Sequence, residues 1–187
     1  GWNRYPIRDH IAEKYNLPVS LNNDAELGVL GEWAFGAGRQ HDHLAYIKVG
    51  SGIGAGLLLN GQIYHGSTGS AGEIGHVTID ENGPLCNCGN RGCIEAMAGG
   101  VALALEMERQ VQKGHKTMLD LDIIARGLQY EDVIEAAFRG DLLAQQIISQ
   151  AGYRLGTAVA SLVNLFNPAI IIVGGGVSRA GDILLEP

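Results

Sequence analysis

Between residues 76 and 93 the chain sets His76 and then Cys86-x-Cys88-x4-Cys93 in a stretch with little apolar matter to fold around. Pro84 to Gly92 is dense in Gly, Cys, Asn and Pro and has no helical or strand period, so a loop is expected there. Three thiolates and one imidazole make a tetrahedral donor set that suits zinc and would pin such a loop. All four coordination positions would be filled by protein, with no place for a reactive water, so the ion is expected to be structural. The competing reading is three buried free thiols, which seldom cluster in a polar loop. A lone histidine is more often a satisfied polar residue than a ligand, but here His76 meets a vacant fourth position. The 3 cysteines are odd in number and close together, unlike a disulfide framework. Metal binding in a reducing compartment, the cytoplasm, is the expectation.

Elsewhere the composition is that of a folded globular protein: 46% hydrophobic and 18% charged residues over 187 positions. A disordered tail would be poorer in apolar groups. The 28 glycines fall in scattered clusters, which excludes a collagen repeat. With 13 basic and 20 acidic side chains the formal charge is −7, a poor endowment for gripping phosphate backbones. No nucleic-acid contact by this segment is therefore expected. Nor is a membrane span, because the longest apolar run, Ala169 to Val173, is far short of the ~20 residues required. The opening Gly1-Trp2-Asn3-Arg4 has no signal-peptide pattern. The length fits one domain or one lobe of a larger protein. The missing initiator Met and the final Leu185-Glu186-Pro187, which reads as a helix start, favour the lobe.

Periodicity outlines the elements. Ile7, Ile11 and Tyr15 recur at helical spacing after Pro6, and Pro18 to Leu21 reads as a short strand. Asn22-Asn23-Asp24 offers N-cap residues before a helix carrying Leu27, Leu30 and Ala34, closed by Gly36 and Gly38. Leu44–Val49 and Ala55–Leu59 read as strands, Asn60-Gly61 as a hairpin turn returning through Gln62 to Tyr64, and Gly75–Ile79 as a further strand. Ile94–Lys113 is helical with a break at Gly99-Gly100, Asp132–Phe138 is a short helix, and Leu142–Phe166 a long one ended by Asn167-Pro168. Gly152 and Gly156 inside that helix predict close packing against a neighbour. Ala169–Val173 reads as a fully buried strand, and Gly174-Gly175-Gly176 as a turn that backbone or ligand can approach. The pattern as a whole implies a mixed α/β sheet flanked by helices.

Two blocks carry a family resemblance: Ala71-Gly72-Glu73-Ile74-Gly75-His76, and Cys86-Asn87-Cys88-Gly89-Asn90-Arg91-Gly92-Cys93-Ile94-Glu95. Three more occur in matching order: Asn23-Asp24-Ala25 with Gly31-Glu32, Gly52-x-Gly54-x-Gly56, and Asn167-Pro168 with Gly174-Gly175-Gly176. The chain resembles the ROK family of repressors, open reading frames and sugar kinases over nearly its whole length. The resemblance implies the actin-like, ribonuclease-H-like α/β fold, with residues 1–187 forming mainly the C-terminal lobe. The kinases' Asp-x-Gly-x-Thr phosphate loop and the repressors' helix-turn-helix both belong upstream, and neither precedes Gly1.

The resemblance also implies roles. Asp24 matches the base that takes a proton from the sugar hydroxyl in family kinases; spacing alone would make it a plain helix cap. Asn23, Asp24, Glu73, His76 and Glu95 would bind the sugar, with His76 also giving one ring nitrogen to zinc beside Cys86, Cys88 and Cys93. Isolated glutamates are ordinarily solvated surface, but Glu73 and Glu95 adjoin the metal ligands. Ser51, Gly52 and Gly54, and Gly174, Gly175 and Gly176, would approach a nucleotide; tight turns explain these glycines nearly as well. Three functions remain open. The first is the sugar-binding effector lobe of a transcriptional regulator. The second is an ATP- and Mg2+-dependent kinase of the glucokinase, fructokinase or N-acetyl-amino-sugar kinase type. The third is a zinc-stabilised oligomerisation scaffold. The partner implied is a hexose or N-acetyl-hexosamine, in a homodimer, with DNA reached only through a separate N-terminal domain.

Overall fold

A computed structural model describes residues 5–187; the opening Gly1–Arg4 lies outside the described residues. Helix α1 (Ile7–Tyr15) leads through an exposed stretch to α2 (Asp24–Phe35). Strands β1 (Leu44–Val49), β2 (Ile53–Leu59) and β3 (Gln62–Ile63) follow. After a 3-10 turn at Ile74–His76 come α3 (Ile94–Ala98), α4 (Gly100–Gln112), α5 (Leu121–Ala125), α6 (Tyr130–Phe138) and α7 (Leu142–Phe166). Strand β4 (Ile170–Gly174), a second 3-10 turn at Val177–Ala180 and α8 (Asp182–Leu185) complete the chain. The sheet order is β3-β2-β1-β4; β1 runs antiparallel to β2 and parallel to β4. This is the mixed sheet flanked by helices that the residue pattern implied.

Alternation along β1 divides the molecule. Ala45, Ile47 and Val49 join the main core with Ala55 and Leu57 of β2, packed under α3, α4, α6 and α7. Leu44 and Tyr46 point the other way, into a small cluster with Val29 of α2, Leu58, Ile170 and Ile172. Lys48 continues that second row. Helix α2 lies tight on this face because two positions lack a side chain. A Cβ on Gly28 would collide with the Tyr46 ring, and one on Gly56 with the Ala25 carbonyl.

Four expectations are corrected. Pro18–Leu21 is not a strand: Leu17 and Leu21 are exposed, and among the described residues no strand pairs with this stretch. Gly75–Ile79 gives a 3-10 turn and one isolated bridge, Thr78 to Cys93, because the chain turns at His76 to bring its ring to the cysteines. Strand β4 is only half-buried throughout, since it forms one edge of the sheet. Gly152 does meet a neighbour, the Leu184 carbonyl, but Gly156 faces open space. The Asn60-Gly61 turn is as expected, with φ of 53° and 72°.

Candidate functional site

Asn23 takes the N-cap of α2: its Oδ1 accepts the Glu26 N–H at 2.7 Å. Asp24 is thereby relieved of capping, and its exposed carboxylate pairs with the Lys48 ammonium. Opposite stands Gly72, whose carbonyl accepts the Ala55 N–H at 2.8 Å, followed by Glu73. Glu95, in the first turn of α3, accepts the Ile53 N–H at 2.9 Å. It reaches that amide because Gly52 has no side chain; a Cβ there would strike the carboxylate. Together these groups line a cleft of about 250 Å³ whose walls include Asn23, Asp24, Lys48, Gly52, Glu73 and Glu95. Three carboxylates, one amide and one ammonium converge on it, an arrangement rich in acceptors for hydroxyl groups.

Behind Glu73 lies the Cys/His cluster. The ligand atoms of His76, Cys86, Cys88 and Cys93 all lie within 4.8 Å of one another. Cys88 Sγ is 3.6 Å from Cys93 Sγ, and Cys86 Sγ is 3.6 Å from His76 Nδ1. Tetrahedral coordination with metal–sulfur bonds of about 2.3 Å would put sulfurs about 3.8 Å apart, so the donor set fits a metal ion. Burial pushes the Cys93 thiol up to about 12, with the neighbouring Cys88 and Cys86 sulfurs adding to the shift. In the exposed Cys88 the opposite holds, because the Asn90 backbone N–H stabilises the thiolate. Three crowded thiolates would need a cation beside them, and a divalent ion would answer that need. His76 sits between the two sites: while Nδ1 faces the sulfurs, Nε2 is 3.6 Å from Glu73 Oε2.

Of the residues singled out from sequence, Asn23, Asp24, Glu73, Glu95, Gly52 and Gly54 line the same cleft, and His76 touches it through Glu73. Ser51 forms the β1–β2 turn with Gly52 and borders an adjoining groove, beside Leu85 and Val101, that shares Gly52 and Glu95 with the cleft. Gly174, Gly175 and Gly176 line neither; a Cβ on each would collide with Tyr46, Val49 and Tyr130 respectively. Lys48 escaped the sequence reading of site residues. Its signal was available: a lone charge on an otherwise apolar strand, in step with Leu44 and Tyr46.

The model of the family described as "ROK family" matches residues 1–187. A glucokinase of Halalkalibacterium halodurans is 42% identical over 100% of this chain and 57% of its own length. The xylose repressor of Bacillus subtilis is 35% identical over 100% of this chain and 45% of its own length. Among solved structures, a ROK family glucokinase from Streptomyces griseus in complex with glucose and AMPPNP superposes with a TM-score of 0.86. It is 35% identical, over 97% of this chain and 60% of that one. The chain thus spans about half the length of the relatives it matches.

Proposed function

The chain belongs to the ROK family, and we propose that it forms mainly the C-terminal, sugar-binding lobe of a cytoplasmic, sugar-responsive transcriptional regulator. Its fold is that of the family's sugar kinases. The observation that carries the sugar-binding reading is the convergence of Asn23, Asp24, Glu73 and Glu95 on one cleft backed by His76 and the three cysteines. Short, fixed acceptors around a small cleft suit a ring of hydroxyls, and each carboxylate can accept two bonds. The ion in this reading is zinc, held by His76, Cys86, Cys88 and Cys93. It takes no part in a reaction. If Nδ1, which faces the sulfurs, were its donor, the His76 proton would sit on Nε2, turned towards Glu73 and the cleft.

The Asp24–Lys48 pair supports the regulator. An ammonium resting on the carboxylate engages the lone pair that a base would offer to a hydroxyl proton, yet leaves room for binding. In this branch the sugar shifts the equilibrium between lobe arrangements, and a DNA-binding domain elsewhere in the protein reads the shift. The kinase reading has its own support: Asn23 does the capping, so Asp24 lines the cleft without being tied to the helix end, and a glucokinase is 42% identical. There Asp24 would orient the sugar hydroxyl and accept its proton, with Mg-ATP approached through Ser51, Gly52, Gly54 and the Gly174–Gly176 segment. Neither branch contradicts a homodimer.

Calorimetry of the full-length protein against hexoses and N-acetyl-hexosamines, paired with an ATP-dependent phosphorylation assay, decides between them. Sugar binding without turnover supports the regulator. Turnover that Asp24→Asn abolishes, with sugar affinity near wild type, establishes the kinase instead. If no sugar gives heat, both fall and the zinc-held scaffold is left.

A further inference from the structure

Among the described residues two charged side chains are buried, Glu26 and Asp141. Asp141 has an evident task, since it caps α7 through the Ala144 N–H and ties down Thr117 and Met118. Glu26 has no such task in the reading above. A buried carboxylate costs several kcal/mol unless it is paired, and its partner is His65, with Nδ1 2.7 Å from Glu26 Oε1.

The connections on either side of this pair give it a purpose. The Glu26 N–H is the group capped by Asn23, on the α2 wall of the cleft. On the other side, the His65 carbonyl accepts the Ala71 N–H at 3.1 Å, closing a loop whose exit is Gly72-Glu73, the facing wall. Residues 65–70 are all exposed, so no apolar burial fixes that loop. Within it Gly66 and Gly69 take positive φ and bring no side chain to pack, whereas Gly72 at its exit is held by its carbonyl on the Ala55 N–H. The imidazole on Glu26 is therefore the side-chain anchor that holds the loop to α2.

We propose that Glu26 and His65 form a clasp setting the spacing between the two walls of the cleft. Both are positioning residues: they touch no ligand but fix where Asp24 and Glu73 stand relative to each other. The proposal rests on the sugar-binding reading and adds the device that keeps the carboxylates in register. It also gives the buried Glu26 a role that a solvent-facing glutamate would not have.

The test uses three forms of the full-length protein: wild type, His65→Phe and His65→Asn. His65 is half-exposed, so neither substitution empties a core. Asparagine keeps a side-chain N–H near the place of Nδ1; phenylalanine keeps the ring and loses the donor. With glucose, mannose and N-acetylglucosamine as probes, His65→Phe is expected to bind about tenfold more weakly, while His65→Asn stays within about threefold of wild type. Hydrogen exchange is expected to speed up about tenfold at Ala71 and Ala55 in His65→Phe, with zinc content unchanged. Wild-type affinity and exchange in His65→Phe would overturn the clasp, as would His65→Asn binding as weakly as His65→Phe. Should wild type bind none of the probes, the sugar reading fails, and the exchange rates at Ala71 and Ala55 still decide whether the loop is held by Glu26.

Discussion

Helix α7 and the loop from His76 to Cys93 keep their shapes by opposite means. The helix buries Ile147, Ile148, Ala151, Leu155, Ala158 and Leu162 along one stripe, so removal of apolar surface from water holds it. The loop has Gly83, Gly89 and Gly92, an exposed Leu85 and an exposed Cys88, and offers no comparable stripe. It is organised by four donor atoms, two short bridges and the capacity to take an ion. Distributed contacts tolerate the loss of any one of them. A coordination sphere fails as a unit when one ligand goes. The molecule puts the second kind of support next to its cleft, on the loop that lies between the cleft-lining Glu73 and Glu95.

That contrast can be broken most severely at the proposed metal site. Structural zinc contributes on the order of 10 kcal/mol of binding free energy to the fold around it. Cys88→Ser is expected to lose the ion, loosen residues 76–93 and weaken sugar binding through Glu73, His76 and Glu95 together, while far-ultraviolet dichroism from α7 persists. Elemental analysis checks the first point, and a wild-type metal content would count against the whole coordination reading. The next largest effect belongs to the helix. Ile148 is completely buried, and Ile148→Ala should cost about 3 kcal/mol in chemical denaturation with full metal content retained.

Asp141 gives an intermediate case with a pH signature. Burial alone would raise its carboxyl, but the Thr117 hydroxyl and the backbone N–H groups of Met118, Ala144 and Leu143 outweigh that and hold it below the ordinary value. A depressed folded-state value means stabilisation that is present at neutral pH and is lost as pH falls below about 4. Asp141→Asn should therefore lose about 2 kcal/mol at pH 7, and the gap from wild type should narrow in acid. A gap independent of pH would show that the carboxylate charge contributes nothing. The smallest change sharpens the contrast instead of breaking it. In Gly56→Ala the new methyl meets the Ala25 carbonyl and lies 2.9 Å from Val29 Cβ, pushing α2 off the sheet. About 1–2 kcal/mol is expected, with sugar affinity reduced and the metal untouched.

The same contrast explains what could be read from the residues alone. Helix α7 repeats the right period over 25 residues, and its end is marked by Asn167-Pro168. The four donors His76, Cys86, Cys88 and Cys93 that the structure brings together are equally plain, because their residue types and spacing suit one donor set. Strand Gly75–Ile79 misled, since Gly-His-Val-Thr-Ile has strand-like residues while its shape is dictated by His76 reaching the cysteines. The buried character expected of β4 depended on a neighbour across the sheet, which composition cannot supply. Lys48 and the Glu26–His65 pair were harder still. Lys48 stands out on its strand, but what it and the Glu26–His65 pair do depends on partners 24 and 39 positions away, and such pairings follow from the packing of α2 on the sheet.

Asn23 and Asp24 differ by one amide, yet their order is not free. Either residue type can cap a helix. Exchange the two, and the protein would keep its composition, its formal charge of −7 and a capped α2. The negative charge would then be spent on the Glu26 amide, and a neutral carboxamide would face Lys48. Transposing two neighbouring letters would thus disarm the cleft while leaving every bulk property of the molecule as it was.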